Sequence, residues 1–169
     1  IADRGERVVT VVEAKIRSLR AASYYGTDPG ALLVDLAERF SASLVQSVKY
    51  LRSASEAHDR GRLTEAGAHA WTTIDGARCV VLLAVAPSLP AAIAGRRLRQ
   101  AIWSAVKTRI SADDSLRQFW ERFARSHEVI WHVGDAQDIC FLAGWRSKRR
   151  IGKTLVQYLR ATRGQPTFS

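Results

Sequence analysis

The chain has 169 residues, of which 47% are apolar and 25% charged, and this composition excludes a disordered chain and is typical of one globular domain. Lysine and arginine number 26 against 16 acidic residues, and the net charge of +10 favours anionic partners, most often nucleic acid and less often an anionic membrane surface. No segment reaches the roughly 18 apolar residues that a membrane span requires, so the sequence predicts no membrane-spanning helix.

The chain starts at Ile1 and contains no methionine, which predicts a processed or trimmed protein whose original start lies elsewhere. It shows no recognisable signal peptide. Cys79 and Cys140 both lie in apolar contexts, which favour buried free thiols over the disulfide framework of a secreted scaffold. We therefore expect an intracellular protein, in the cytoplasm or an organelle lumen, and not a secreted one.

The first half of the chain shows mainly helical periodicity. Apolar residues at helix spacing predict a first helix over residues 6–22. The segment "YYGTDPG" interrupts the pattern, and Thr27 or Asp28 can cap the next helix with Pro29 in its first turn. That second, amphipathic helix is predicted from residue 31 to about residue 60.

The second half is also predicted to be helical. The expected helices cover residues 64–85, about 90–110, about 114–126 after the capping sequence "SADD", and about 134–163. The segment "EVIWHV" alternates like a strand, but no partner strand is predicted for it. The sequence therefore predicts an all-α fold, a single helical bundle of five to seven helices over residues 1–163, with a frayed tail at residues 164–169.

Two acid-free windows contain most of the excess positive charge. The first window, residues 76–112, has Arg96, Arg97 and Arg99 near its centre, and the second covers residues 139–169. In the second window, at about 100° per residue, one helix face carries five basic residues: Arg146, Arg149, Arg150, Lys153 and Arg160. This pattern predicts a basic ridge that contacts phosphates without reading bases, and a plain solvated helix face is the alternative.

The segment "RFARSHEVIW" contains a candidate catalytic pair, Arg122 and His127. Histidine can move protons near neutral pH and arginine can hold a phosphate, so the pair could cleave RNA without a metal. The same spacing also arises by chance, because 21 of the 169 residues are arginine. On a straight helix the two side chains would point about 140° apart.

The stretch "SLVQSVKYLRSASEAHDRGRLTEAGAHAWTTIDGARCVVLLAV" resembles the central helical hairpin of HEPN domains, and a TPR-like hairpin shares the same pattern. The resemblance covers roughly residues 35–160. Many HEPN domains carry an arginine followed after four to six residues by a histidine, and "RFARSH" matches this motif, although Phe123 stands where catalytic members often have a polar residue. The resemblance implies a helical bundle in which Arg122 and His127 are the catalytic pair and a homodimer joins two such sites. Noncatalytic HEPN domains, which serve as binding or assembly modules, are also common.

The leading hypothesis is a noncatalytic basic module that binds nucleic acid, RNA rather than DNA, within a larger assembly. The alternatives are an HEPN-like, metal-independent ribonuclease and a helical protein-interaction subunit, and protein partners or a homodimer are compatible with each. No cofactor is predicted. No metal site is predicted either, since the polar residues around His127 and His132 match no familiar ligand spacing.

Overall fold

The computed structural model describes residues 2–3, 7–14, 28–86 and 96–135. The helices within these ranges are α1 (Pro29–Asp59), α2 (Glu65–Asp75), α3 (Arg96–Ser111) and α4 (Asp114–Ser126). The strands are β1 (Ala2–Asp3), β2 (Val8–Ala14), β3 (Cys79–Ala86) and β4 (Glu128–Asp135).

The strands form one sheet with the order β1-β2-β3-β4. The short β1 is antiparallel to β2, whereas β2, β3 and β4 run parallel to one another. In the register of the three parallel strands, Val8 lies beside Cys79 and Cys79 beside Glu128. The protein is thus a mixed α/β fold, and the prediction of an all-α helical bundle of five to seven helices is wrong.

The first error concerns residues 6–22, where the described residues form β2 instead of a helix. The sequence of β2, "VVTVVEA", is rich in β-branched residues, whose restricted side-chain rotamers suit a pleated strand better than a helix. The second error concerns residues 64–85. There α2 ends at Asp75, Gly76 caps it, and the apolar run "CVVLLAVA" forms β3.

The segment "EVIWHV" is a strand, as its alternation suggested, and its partner is β3. The sequence predicts no partner for it because the run that forms β3 is itself predicted to be helical. A short apolar run fits a buried strand and a buried helix segment equally well, so periodicity alone does not separate them. Parallel strands of this kind are typically continuous apolar runs, since they are buried on both faces.

The other described helices agree with the sequence predictions. Asp28 caps α1, its Oδ1 atom accepting hydrogen bonds from the backbone N–H groups of Gly30 (2.8 Å) and Ala31 (3.2 Å). Asp113 caps α4 in the same way and accepts from the N–H of Leu116 (2.9 Å). The predicted helix over residues 90–110 is α3 in its described part, whereas the predicted last helix and the tail lie outside the described residues.

The core lies on both faces of the sheet. On one face, residues of all three parallel strands pack against α1, α3 and α4, with Leu82 and Trp131 at the centre. The opposite face is buried as well: Val8, Val81, Leu83, Val85 and Ile130 are each at most 5% exposed. β3 is therefore buried on both faces and contributes residues to the core on each side of the sheet.

Candidate functional site

His127 lies at the end of α4, where its backbone N–H donates to the carbonyl oxygen of Phe123 at 3.0 Å. The residue is only 6% exposed. Its ring stacks on the Phe123 ring, with centroids 4.2 Å apart and planes inclined by 18°. Chain connectivity and aromatic packing therefore fix the orientation of the imidazole.

Both ring nitrogens of His127 face backbone carbonyl oxygens. Nδ1 lies 3.0 Å from the oxygen of Phe123, and Nε2 lies 3.1 Å from the oxygen of Asp75 at the end of α2. A carbonyl oxygen only accepts, so the neutral ring donates to one of the two and the doubly protonated ring donates to both. In this arrangement both nitrogens face the protein's own backbone, and the imidazole connects two helix ends.

Arg122 is exposed on α4, more than one helical turn before His127. Within the described ranges, no hydrogen bond or ring contact joins the two side chains. The predicted catalytic role of the pair stays a prediction. If the two cooperate, a change of geometry at the end of α4 has to release the histidine ring from its carbonyl partners.

Arg7 directly precedes β2, and its role could not be recognised from the sequence. Its φ of 55° places it in the left-handed region, which residues other than glycine rarely adopt. Its Nε and Nη2 atoms donate to the carbonyl oxygen of Gly76 at 3.0 and 2.6 Å. Its own carbonyl accepts from the N–H groups of Arg78 (2.8 Å) and Cys79 (3.2 Å), so Arg7 ties β2 to the segment between α2 and β3.

Arg7 and His127 both contact carbonyl oxygens at the C-terminal end of α2. Arg7 donates to the carbonyl of Gly76, and Nε2 of His127 faces the carbonyl of Asp75. Helix C-termini leave carbonyl oxygens without partners inside the helix and carry partial negative charge, so cationic and N–H donors stabilise them. Here the donors come from the residues just before β2 and just before β4. No local pattern could have revealed this, since the acceptors are backbone atoms.

The predicted second patch lies at the start of α3. Arg97 is exposed and Arg99 half-buried, while Arg96 is the first residue of the helix. The first turn contains no acidic residue, and the whole helix "RRLRQAIWSAVKTRIS" contains five basic and no acidic residues. Because the positive end of a helix dipole disfavours cations, the dipole of α3 does not stabilise this cluster.

The predicted ridge falls in a different part of the chain. All five of its residues lie outside the described residues: Arg146, Arg149, Arg150, Lys153 and Arg160. Among residues 2–3, 7–14, 28–86 and 96–135, no three His, Cys, Asp or Glu side chains are grouped as metal ligands. No helix in these ranges is long and apolar enough to cross a membrane.

The excess charge is unevenly distributed. In the sequence, residues 76–112 and 139–169 contain 13 basic and no acidic residues, whereas the rest of the chain contains 13 basic and 16 acidic residues. Two stretches with excess positive charge follow the carboxyl ends of β2 and β4 in the sequence. Residues 15–27 carry three basic and no acidic side chains, and residues 136–169 carry seven basic and one acidic.

A comparison with protein-family models, curated proteins and solved structures found no match. The resemblance to HEPN domains therefore stays a prediction, and function is inferred from the chain's own geometry and charge.

Proposed function

We propose that this protein is a noncatalytic module that binds nucleic acid through its sugar–phosphate backbone, by charge and with little sequence preference. One observation carries the proposal. In the sequence, residues 76–112 and 139–169 together contain 13 basic and no acidic residues, whereas the rest of the chain contains 13 basic and 16 acidic residues. Such concentration favours a polyanionic partner.

Solubility alone does not explain this uneven distribution of charge along the sequence. A soluble surface needs both signs interspersed and a modest net charge. Unbalanced like charges repel one another, so a stretch such as residues 139–169, with seven basic and no acidic residues, carries an electrostatic cost. Phosphate groups at regular spacing offset that cost, and the counterions that they release supply the binding free energy.

The test measures binding to RNA and to single- and double-stranded DNA over a range of salt concentrations. We expect log affinity to fall linearly with log salt, and sequence to have little effect. The triple variant Arg149→Glu, Arg150→Glu, Lys153→Glu should weaken binding at least tenfold. The matched control is Lys49→Glu, Arg60→Glu, Arg62→Glu, which changes the net charge equally but at exposed positions outside both acid-free windows.

Three results would contradict the proposal. Equal binding by the two triple variants would show that the basic stretch at residues 139–169 does not contact the nucleic acid. A flat salt response would instead favour a protein-interaction subunit. Cleavage of RNA in EDTA that is lost in a folded His127→Ala variant would favour the metal-independent ribonuclease.

A further inference from the structure

We infer that residues 139–160 cover the second face of the sheet, with residues 149–160 as an amphipathic helix whose basic side is turned away from the sheet. The first face is the one packed against α1, α3 and α4, and the second face is the opposite one. The second face comprises six residues of the parallel strands: Val8, Cys79, Val81, Leu83, Val85 and Ile130. Residues 139–160 lie outside the described residues, so the inference rests on the second face and on the sequence.

The second face is buried within a single chain. Its six residues are at most 5% exposed. Among the described residues, however, the apolar cluster on this face consists of strand residues alone, whereas the cluster on the first face includes residues of all four helices. A part of the chain outside the described ranges therefore covers the second face.

The topology keeps the two helical connections on the first face. β2, β3 and β4 are parallel and adjacent in this order, and connections between parallel strands are almost always right-handed. Two right-handed connections that advance in the same direction across a sheet place their helices on the same face. The first connection contains α1 and α2, the second contains α3 and α4, and all four pack on the first face. We therefore look for the cover after β4, where residues 136–169 form the longest stretch outside the described ranges.

The sequence after β4 has the apolar pattern that such a cover requires. Residues 139–145 read "ICFLAGW", without a charged or polar side chain. In a helix, Ile151, Leu155 and Leu159 share one side because they recur every four residues, and the ridge residues of this stretch lie on the other side. The lengths also agree. β3 rises about 20 Å from Cys79 to Val85, and a helix over residues 149–160 spans about 17 Å, so the apolar run before it supplies the remainder.

The other two stretches that follow a strand are less suited to this face. Residues 15–27 and 87–95 each connect a strand to the helix that follows it, so both lead to helices of the first face. Each contains only two valine, leucine or isoleucine residues, whereas residues 139–160 contain six. Burying a face of six apolar residues requires a comparable apolar surface in contact with it.

The inference gives the predicted basic ridge a place in the fold. With the aliphatic side of the helix against the sheet, the ridge residues lie on the outer side, and the helix separates them from the second face. The ridge is then on the opposite side of the sheet from α1, α3 and α4. The cover itself is independent of the proposed function, and only the step from the ridge to nucleic acid rests on it.

The experiment measures how fast a thiol on each face of β3 reacts with a thiol reagent in the full chain. Val81→Cys places a probe on the second face and Val80→Cys places one on the first face, and both positions are 0% exposed. Each probe is made in a background without natural thiols, Cys79→Ala, Cys140→Ala. Because the two probes are neighbours on one strand, loss of the whole sheet exposes both, whereas loss of the cover exposes only the second-face probe.

The test variant is Leu155→Asp, Leu159→Asp, which puts two carboxylates on the aliphatic side of the helix. We expect the second-face probe to react about tenfold faster or more in this variant while the first-face probe keeps its rate, since a buried thiol reacts only when its cover opens. The milder variant Leu155→Ala, Leu159→Ala should give the same difference between the probes to a smaller degree. It keeps the test decisive where the aspartate variant does not fold.

Two control variants accompany the test. The triple glutamate variant of the basic stretch changes the other side of the same helix and should leave the second-face probe protected. Its binding to RNA tests the proposed function separately, so either proposal can fail alone. Ile16→Asp, Leu19→Asp introduces the same two charges into residues 15–27 and should also leave this probe protected.

The inference is wrong if the two probes react at equal rates in both leucine variants, because residues 139–160 then form no separate layer over the second face. It is also wrong if Ile16→Asp, Leu19→Asp exposes the second-face probe and the leucine variants do not. That result would assign the cover to residues 15–27.

Discussion

The Nε2 atom of His127 lies 3.1 Å from the backbone carbonyl oxygen of Asp75, a residue 52 positions earlier in the chain. This contact joins the end of α4 to the end of α2, and the ring also stacks on Phe123. A side chain that the sequence suggested as a proton carrier therefore forms part of the tertiary structure. Any loss of activity in a His127 variant has to be separated from a loss of folding.

The first prediction concerns that contact. His127→Ala should lower the free energy of unfolding by about 3 kcal/mol, because it removes a buried ring and the imidazole that faces the carbonyl oxygen of Asp75. Urea denaturation followed by circular dichroism measures the change. Arg122→Ala, at an exposed position of the same helix, serves as the control and should change stability by less than about 0.5 kcal/mol. Equal stability of the two variants would show that the imidazole bridge contributes nothing.

Two substitutions of Arg7 separate the effect of backbone strain on stability from the effect of its hydrogen bonds. Arg7→Ala loses both guanidinium hydrogen bonds to Gly76 and keeps a side chain at positive φ, whereas Arg7→Gly loses the same bonds but relieves the strain. Both variants should be less stable than the wild type. The glycine variant should be the more stable of the two by about 1 kcal/mol in chemical denaturation. The reverse order would show that the positive φ is not retained in solution.

Asp113 supports α4 through its cap. Asp113→Ala should cost about 1 kcal/mol, because the N–H of Leu116 loses its acceptor. Asp113→Asn keeps an oxygen that can accept this bond and removes only the charge beside Arg52, so it should retain most of the stability. Thermal melts of the three proteins at one salt concentration measure the difference. A cost as large for asparagine as for alanine would assign the effect to the ion pair instead of the cap.

The burial of β3 on both faces gives a prediction that distinguishes this sheet from one with a solvated face. Leu82 and Leu83 point to opposite faces and are both 0% exposed. Leu82→Ala and Leu83→Ala should each cost about 2–5 kcal/mol. Val34→Ala, at a position 64% exposed, should be close to neutral. A neutral Leu83→Ala would mean that the second face is open to solvent.

The helices that were predicted correctly begin at local chemical signals. Asp28 before Pro29, and Asp113 before an amphipathic segment, mark where α1 and α4 start because capping is a short-range interaction. The strands lack such signals. β2 and β3 are short apolar runs, and whether such a run is a strand depends on its partners, which lie far away in the sequence.

The candidate functional residues also divide into those that the sequence reveals and those whose surroundings depend on distant parts of the chain. The arginines at the start of α3 could be recognised as a basic cluster from the sequence, since charge depends only on residue type. Which side of α3 is exposed follows from the burial of Leu98 and Ile102, which only the structure shows. The surroundings of His127 could not be inferred from residue types, because its two partners are backbone carbonyl groups.

The central position of β3 also affects how the chain reaches its folded state. Its two parallel neighbours are separated from it by residues 15–78 and 87–127, so both pairings close long loops, and such topologies fold slowly. During synthesis, β3 can pair with β2 as soon as it emerges, but its other edge stays open until β4 has been made. The exposed run "VVLLAV" is then free to pair with another copy. Refolding yield should therefore fall as protein concentration rises, even though the native protein covers this strand completely.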